Sequence, residues 1–280
     1  MSPDTPAALL RASPLPPLEA RILLTHVLGW RRTELITRGD DVLDAAALAR
    51  YQTLEARRAA GEPVAQLIGA REFFGLDFDV TPDVLIPRPE TELLVETALT
   101  AMEGVSRPRV LDLGTGTGAI AVAIASMRPD AQVWALDRSV EALVVATRNA
   151  TRLLDARRPG GALVLMQSNW YDTLDTTRRF DVIVSNPPYI ASGDPHLSEG
   201  DLRFEPRGAL TDEADGLSAI RIIVAGAPTR LSANGVLLIE HGYDQAEAVR
   251  ALLSAQGFVE VHSEQDLAGI ERISGGRLPG

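Results

Sequence analysis

The chain has 280 residues and no cysteine. That excludes a disulfide framework and a thiolate-held metal. It has no run of eighteen apolar residues, so no membrane-spanning helix is expected. The opening stretch, MSPDTPAALLRASPLPPLEARILL, lacks a basic region leading into an apolar core and a small-residue cleavage site. It is expected to remain unprocessed. These absences fit a reducing cytoplasm, the expected location, although exported proteins can also lack cysteine. Positive charge is scarce as well. Lys and Arg total 27 against 38 Asp and Glu, giving a formal net charge of −11 and a pI near 4.9. A protein that grips long stretches of duplex by counterion release needs a basic surface, so a general nucleic-acid binder is disfavoured. An acidic surface favours a basic partner or a small-molecule substrate. The histidines, His26, His196, His241 and His262, form no H-x-x-x-H or facial cluster, and no metal is expected. There is no G-x-x-x-x-G-K-[ST] phosphate loop and no repeat of fixed period.

What is present is ordinary globular composition, with 45% hydrophobic and 23% charged residues. Residues 1–17 are rich in Pro and Ala and are expected to be irregular or weakly helical. Residues 18–29 place Leu18, Ile22, Leu23, Val27 and Leu28 at helical spacing, with Gly29 as a stop. Residues 44–60 predict a helix from an Asp44 cap to the Gly61-Glu62-Pro63 break; its Arg57-Arg58 pair is expected to lie on a solvated face. Residues 72–86 change character: aromatic and branched residues surround Thr81-Pro82-Asp83, which predicts a hairpin turning there. Residues 87–102 predict a helix opened by Pro89, with Glu90 and Glu92 at its positive end.

From Arg107 onward, apolar strands alternate with helices, which implies a parallel sheet covered by helices on both faces. Ligands of such sheets sit at the carboxyl ends of the strands. The first strand ends in LDLGTGTGAIA, residues 111–121. Its spacing is G-x-G-x-G, not the G-x-G-x-x-G of a dinucleotide site. The second strand ends at Asp137, about 20 residues downstream, where an acid can accept hydrogen bonds from both hydroxyls of a ribose. Glycine loop and distal acid together point to an adenosine-containing cofactor. The third strand leads into Ser168-Asn169-Trp170. Asn169 could bond an adenine amino group and Trp170 could pack on the ring, or the two could be a turn residue and a core residue.

The fourth strand, DVIVS, runs into Asn186-Pro187-Pro188-Tyr189. These residues suit a planar NH₂ on an sp² carbon. The lone pair of such a nitrogen is delocalised, by an amount measured by the ~18–20 kcal/mol barrier to amide rotation. It attacks a methyl group only if both N–H bonds are held while the lone pair turns. The Asn186 side-chain oxygen and the Pro187 carbonyl are two acceptors for those N–H groups. The prolines fix φ and remove competing donors. Tyr189 offers a flat wall. The motif alone leaves adenine N6, cytosine N4 and a glutamine amide as possible acceptors.

D-x-G-x-G-x-G resembles motif I of class I S-adenosylmethionine-dependent methyltransferases. The whole chain resembles the PrmC/HemK family of protein-(glutamine-N5) methyltransferases that modify peptide chain release factors. The matching stretches are residues 63–95, 110–125, 135–139, 168–172, 182–190 and 204–210, and the hairpin followed by I-P-R-P-E-T-E is the most specific of them. The resemblance implies an α/β fold: a Rossmann-like methyltransferase domain (88–280) after a small all-helical substrate-docking domain (1–71) and a β-hairpin linker (72–87). It implies S-adenosylmethionine held by Gly114, Thr115, Gly116, Thr117, Gly118, Asp137, Asn169, Trp170 and Asn186. It implies a glutamine of a Gly-Gly-Gln loop held by Asn186, Pro187, Pro188 and Tyr189, with Asn186, Pro187 and Tyr189 serving the transfer. The expected partner is a release factor, with no nucleic-acid substrate, met by a monomer. Asn169 departs from the family, which usually carries an acid there. Arg88, Glu90 and Glu92 either line the cofactor pocket or simply open a helix. Glu205 and Arg207 either order the loop after Asn186 or form a surface ion pair.

Overall fold

The structure is a computed structural model that describes residues 4–280. The chain folds into two units. One comprises the described residues up to Ala70 together with Glu199–Phe204; the other comprises Arg71–Ser198 and Glu205–Gly280.

The first unit is helical: α1 (Pro6–Ala12), α2 (Pro17–Leu28), α3 (Arg32–Thr37), α4 (Ala45–Ala59) and α5 (Val64–Ile68). The stretch expected to be irregular or weakly helical forms α1. Pro6 sits in its first turn, where a missing N–H costs nothing, and the Thr5 hydroxyl accepts from Ala8 N at 3.3 Å. Gly29 ends α2 at φ +66°, and the Asp44 carboxylate caps α4 by accepting from Ala47 N at 2.7 Å. Leu23, Leu24, Tyr51 and Leu67 form the core of this unit. The solvated face expected for Arg57-Arg58 is corrected at Arg58. Its side chain is only 17% exposed and forks onto Glu19, with Nε–Oε2 at 2.7 Å and Nη2–Oε1 at 2.9 Å. Its Nη1 donates to Asp201 at 2.8 Å. A largely covered guanidinium needs such partners, and residues distant in sequence supply them.

Apart from Ala70, a hairpin of β1 (Ala70–Phe73) and β2 (Leu76–Asp79) opens the second unit. Its turn is Phe74-Gly75, not Thr81-Pro82-Asp83. Both turn residues have positive φ, +53° and +74°, the geometry that matches the twist of two antiparallel strands. Thr81-Pro82-Asp83 makes a separate turn after β2, closed by Val84 N onto the Thr81 carbonyl at 3.3 Å. A 3-10 turn (Pro89–Thr91) then leads into α6 (Glu92–Ala101).

The rest is β3 (Arg109–Leu113), α7 (Ala119–Met127), β4 (Gln132–Asp137), α8 (Val140–Leu153), β5 (Val164–Gln167), β6 (Phe180–Ser185), the short α9 (Arg207–Leu210), α10 (Ser218–Gly226), β7 (Leu231–Glu240), α11 (Ala246–Ala255), β8 (Val259–Gln265) and β9 (Glu271–Arg277). The sheet order is β5-β4-β3-β6-β7-β9-β8. The first five strands in that order are parallel, while β9 runs antiparallel to both β7 and β8. The departure from an all-parallel sheet arises because β8 and β9 are joined by a tight turn with no crossover helix.

Strand residues alternate between two cores. Val110, Val133, Val182 and Leu238 pack with α6 and α7 residues on one face. Leu111, Trp134, Ile183 and Leu237 pack with α10 and α11 residues on the other. Burial on both faces is why these strands read as unbroken apolar runs. The hairpin is tied to the sheet by Asn149 of α8, which is fully buried. Its Oδ1 accepts from Asp79 N at 2.8 Å, and its Nδ2 donates to the carbonyls of Asp79 and Thr117 at 3.1 and 2.9 Å. Asn149→Ala leaves these backbone groups unpaired and is expected to cost about 2–3 kcal/mol; the urea unfolding midpoint measures it.

Candidate active site

The strand order changes direction at β3, with β4 on one side and β6 on the other. At such a switch point the loops leaving neighbouring strands part and leave a crevice. Here a cavity of about 170 Å³ opens there, lined among others by Gly114, Gly116, Asp137, Asn169, Trp170 and Asn186. Residues from the ends of β3, β4, β5 and β6 thus meet in one place.

The loop after β3 is held by backbone bonds. Gly114 N and Thr115 N both donate to the Leu136 carbonyl, at 2.8 and 2.9 Å. Gly118 caps α7 at φ +81°, and a Cβ there would press on Ala146 Cβ at 3.2 Å. Gly116 differs. It has φ +54°, and a Cβ added to it would meet no protein atom within 4 Å; it would stand in open space beside the cavity. A Cβ at Gly114 would stand 3.6 Å from the Trp170 ring and 4.0 Å from the Asn186 carbonyl oxygen. Three expected site residues therefore abut. Thr115 and Thr117 are buried and are not among the residues lining the cavity. The Thr115 hydroxyl donates to Asp112 Oδ2 at 2.6 Å, and Thr117 offers its carbonyl to Asn149.

Asp137 ends β4. Its Oδ2 accepts from Gly116 N at 2.8 Å and its Oδ1 from Ser139 N at 2.9 Å. Each oxygen keeps a second lone pair for a ligand. Asp112 is fully buried, and its Oδ1 has no hydrogen-bond partner. Burial, with the nearby Asp137 charge, pushes its carboxyl up to about 7. The cavity fits the expected cofactor on two counts: the loop leaves room where a side chain would stand, and an acid with free lone pairs lines the cavity. Asn169 lines the cavity and donates through Nδ2 to Asp172 at 3.3 Å, which leaves its Oδ1 free to accept. Trp170 is held at φ +52°, an uncommon conformation for a bulky residue.

Asn186 follows the last residue of β6, Ser185. Its Nδ2 donates to Thr91 Oγ1 at 3.1 Å. Pro187 is buried, Pro188 lines the cavity, and Tyr189 is not among its lining residues. The Tyr189 hydroxyl donates to Glu240 Oε1 at 3.4 Å; burial and the Glu240 charge push its pKa up. The Tyr189 carbonyl is anchored by Gln245 Nε2 at 3.0 Å.

The open alternatives at the margin divide. Glu92 accepts from Phe74 N at 2.8 Å and so braces the hairpin. The Glu205 side chain is fully buried, pairs with Arg88 and accepts from Ile86 N at 2.9 Å. It orders the chain that follows the N-P-P-Y turn. Arg207 makes an exposed pair with Glu213. Several lining residues lie in the matching stretches but were given no role from the sequence: Val84 and Leu85 after the hairpin, Ser168 after β5, and Gly208 and Ala209 of α9. Arg138 closes α9 onto the site by donating to the Gly208 carbonyl at 2.9 Å. Glu240 and Thr91 were also missed, because no motif connects positions so far apart in the chain.

Residues 7–69 match the family model for the PrmC N-terminal domain, and residues 89–199 match the model for the methyltransferase small domain. The release factor glutamine methyltransferase of Burkholderia pseudomallei is 71% identical over 279 residues, covering 100% of this chain and 98% of the relative. That of Bordetella pertussis is 57% identical over 270 residues, covering 96% and 98%. A T. thermophilus 16S rRNA methyltransferase, solved in complex with AdoMet and guanosine, is 21% identical with a TM-score of 0.53, covering 75% of this chain and 49% of that one. It shares the fold. With both family models matched and near-complete coverage at high identity, the chain belongs to the release factor glutamine methyltransferase family, whose methyl donor is S-adenosylmethionine.

Proposed function

We propose that the chain methylates the side-chain amide nitrogen of a glutamine in a peptide chain release factor, in its Gly-Gly-Gln loop, and so supports translation termination in the cytoplasm. The observation that carries this reading is the Asn186 amide. It stands at the carboxyl end of β6, against the glycine loop of β3, with its NH₂ engaged by Thr91. Its oxygen is left as an acceptor beside the cofactor cavity. S-adenosylmethionine, when bound, supplies an electrophilic methyl group.

The chain's own residues do the rest. Asp137 accepts from ribose hydroxyls, and Asn169 and Trp170 receive the adenine. Gly114 and Gly116 let the backbone approach the ligand, Gly118 lets α7 pack closely on α8, and Thr115 and Thr117 shape the loop. Asn186 Oδ1 and the Pro187 carbonyl accept the two N–H bonds of the glutamine amide, which holds the nitrogen while its lone pair turns toward the methyl group. Pro188 stiffens the turn and Tyr189 walls the slot. No base is needed before transfer, because methylation makes the nitrogen acidic and the proton leaves afterwards. Positioning of this kind can supply about 7–11 kcal/mol. Residues 1–71 dock the release factor, residues 72–87 link, and residues 88–280 catalyse. The net charge of −11 supports a protein partner over nucleic acid, met by a monomeric enzyme.

The test is methyl transfer from labelled S-adenosylmethionine to a purified release factor, its Gln→Ala variant in the Gly-Gly-Gln loop, and a duplex DNA. Label on the wild-type factor alone is expected; label on DNA, or on the variant factor, overturns the reading. Asn186→Ala is expected to lower kcat by about 10²–10³, the cost of one positioned polar group in a transfer site, with S-adenosylhomocysteine affinity nearly unchanged by calorimetry. Asp137→Asn should do the reverse. It loses charged acceptor bonds and is expected to weaken cofactor binding by about tenfold or more, with a smaller effect on kcat at saturating cofactor.

A further inference from the structure

The N-P-P-Y turn has a particular need. Pro187 and Pro188 carry no backbone N–H, so neither can be tied down by a donor of its own. Such a turn must be held from outside, through its carbonyls and side chains. At its start, Asn186 Nδ2 donates to Thr91 Oγ1 at 3.1 Å. At its end, the Tyr189 carbonyl is held by Gln245, a side chain with no part in the transfer steps.

Gln245 stands at the N-terminal boundary of α11. Its Nε2 donates to the Tyr189 carbonyl at 3.0 Å and to the Gly216 carbonyl at 3.3 Å. Its Oε1 accepts from Gly242 N at 2.9 Å. One amide thus joins the acceptor turn after β6, the chain that enters α10 and the loop after β7. Each N–H of its NH₂ has a carbonyl, and its oxygen has an N–H. Turning the amide over would set its oxygen against two carbonyl oxygens, so only one orientation is bonded. The mounting is firm. The Gln245 carbonyl accepts from Val249 N at 3.0 Å, and Gln245 N donates back to the Gly242 carbonyl at 3.0 Å. Val249 and Leu253 of the same helix are fully buried in a sheet core. The junction is also tight: Gly216 lies at φ +80°, and a Cβ there would overlap the Tyr189 carbonyl oxygen.

The two acceptors of the transfer reading, Asn186 Oδ1 and the Pro187 carbonyl, lie between these two holds. Proline fixes φ but leaves ψ to turn. Rotation about ψ of Pro187 would swing its carbonyl away from the substrate N–H, and the fixed ends of the turn prevent it. We propose that Gln245 is a positioning residue for methyl transfer, which fixes the Tyr189 carbonyl and thereby the direction of the Pro187 carbonyl. The inference rests on the glutamine-transfer reading and deepens it. Gln245 is not among the residues lining the cofactor cavity, so its effect belongs to transfer. A second route is distinguishable. Ile190 N donates to the Leu210 carbonyl at 3.0 Å, next to the cavity-lining Gly208 and Ala209, and a disturbance passed that way would show in cofactor affinity.

The experiment measures kcat at pH 8 with full-length protein, saturating labelled S-adenosylmethionine and a purified release factor. S-adenosylhomocysteine affinity and the thermal midpoint are measured beside it. Gln245→Met, of similar length and without hydrogen-bonding N or O, is expected to lower kcat by about tenfold, as for one lost hydrogen bond, with S-adenosylhomocysteine affinity within about twofold of wild type. Two further variants split the junction. Gln245→Glu keeps an oxygen for Gly242 N but turns its other oxygen on the two carbonyls; it should lose at least as much rate as Gln245→Met. Gln245→Lys gives up the Gly242 bond but can donate to both carbonyls; it should recover most of what Gln245→Met loses. A merely structural junction would not separate these two. Gln245→Glu at the wild-type rate, or Gln245→Lys no faster than Gln245→Glu, overturns the proposal, and that comparison stands even if Gln245→Met does not fold. So does a fall in cofactor affinity that matches the fall in kcat. If wild type labels the factor and Gln245→Met matches it, the role of Gln245 alone fails. If wild type leaves the factor unlabelled, the glutamine reading fails first and this inference with it.

Discussion

The Ser185 hydroxyl donates to the Leu113 carbonyl at 2.7 Å, in full burial between the ends of two central strands. Leu113 and Ser185 are partners in the parallel register of β3 and β6. This bond sets the level at which both strands stop. The residues that follow, Gly114 on one strand and Asn186 on the other, therefore leave the sheet side by side. Cofactor loop and acceptor turn are two continuations of one ladder. A shift of one residue in that register would turn every alternating side chain to the other face, and the two loops would no longer meet.

The electrostatics of the site follow from the same placement. Strand ends in the middle of a covered sheet are buried on both faces. Carboxyls there are pulled from water and pushed toward neutrality. Asp112 and Glu240 both show this, each raised to about 7 and each with one oxygen unpaired. Asp137, less buried at the mouth, instead has its two oxygens engaged by backbone N–H groups. One acid is thus paired at the edge of the cavity, while two lie where water is excluded.

Much of the architecture was legible because it rests on local rules. Helix caps such as Asp44 and Gly29, the apolar strands from β3 to β7 and the glycine loop all depend on residues within a few positions of each other. The hairpin turn was misread because two signals competed within ten residues. Thr81-Pro82-Asp83 does form a turn, but strand pairing chose Phe74-Gly75, where positive φ at both positions fits the twist. Arg58 was misread because its partners, Glu19 and Asp201, lie far away in sequence.

The site divides along the same line. By itself the sequence determined which chemistry the chain carries, since G-x-G-x-G, a distal Asp137 and Asn186-Pro187-Pro188-Tyr189 are contiguous or strand-end patterns whose backbone demands are local. Only the tertiary structure decided how those groups are held. Thr91 against Asn186, Glu240 against Tyr189 and Arg138 closing α9 over the cavity are contacts between residues 51 to 95 positions apart. No spacing rule reaches that far. Such contacts exist because strand order and register place the ends of distant segments together, and that is a property of the packed sheet and not of any stretch of the chain.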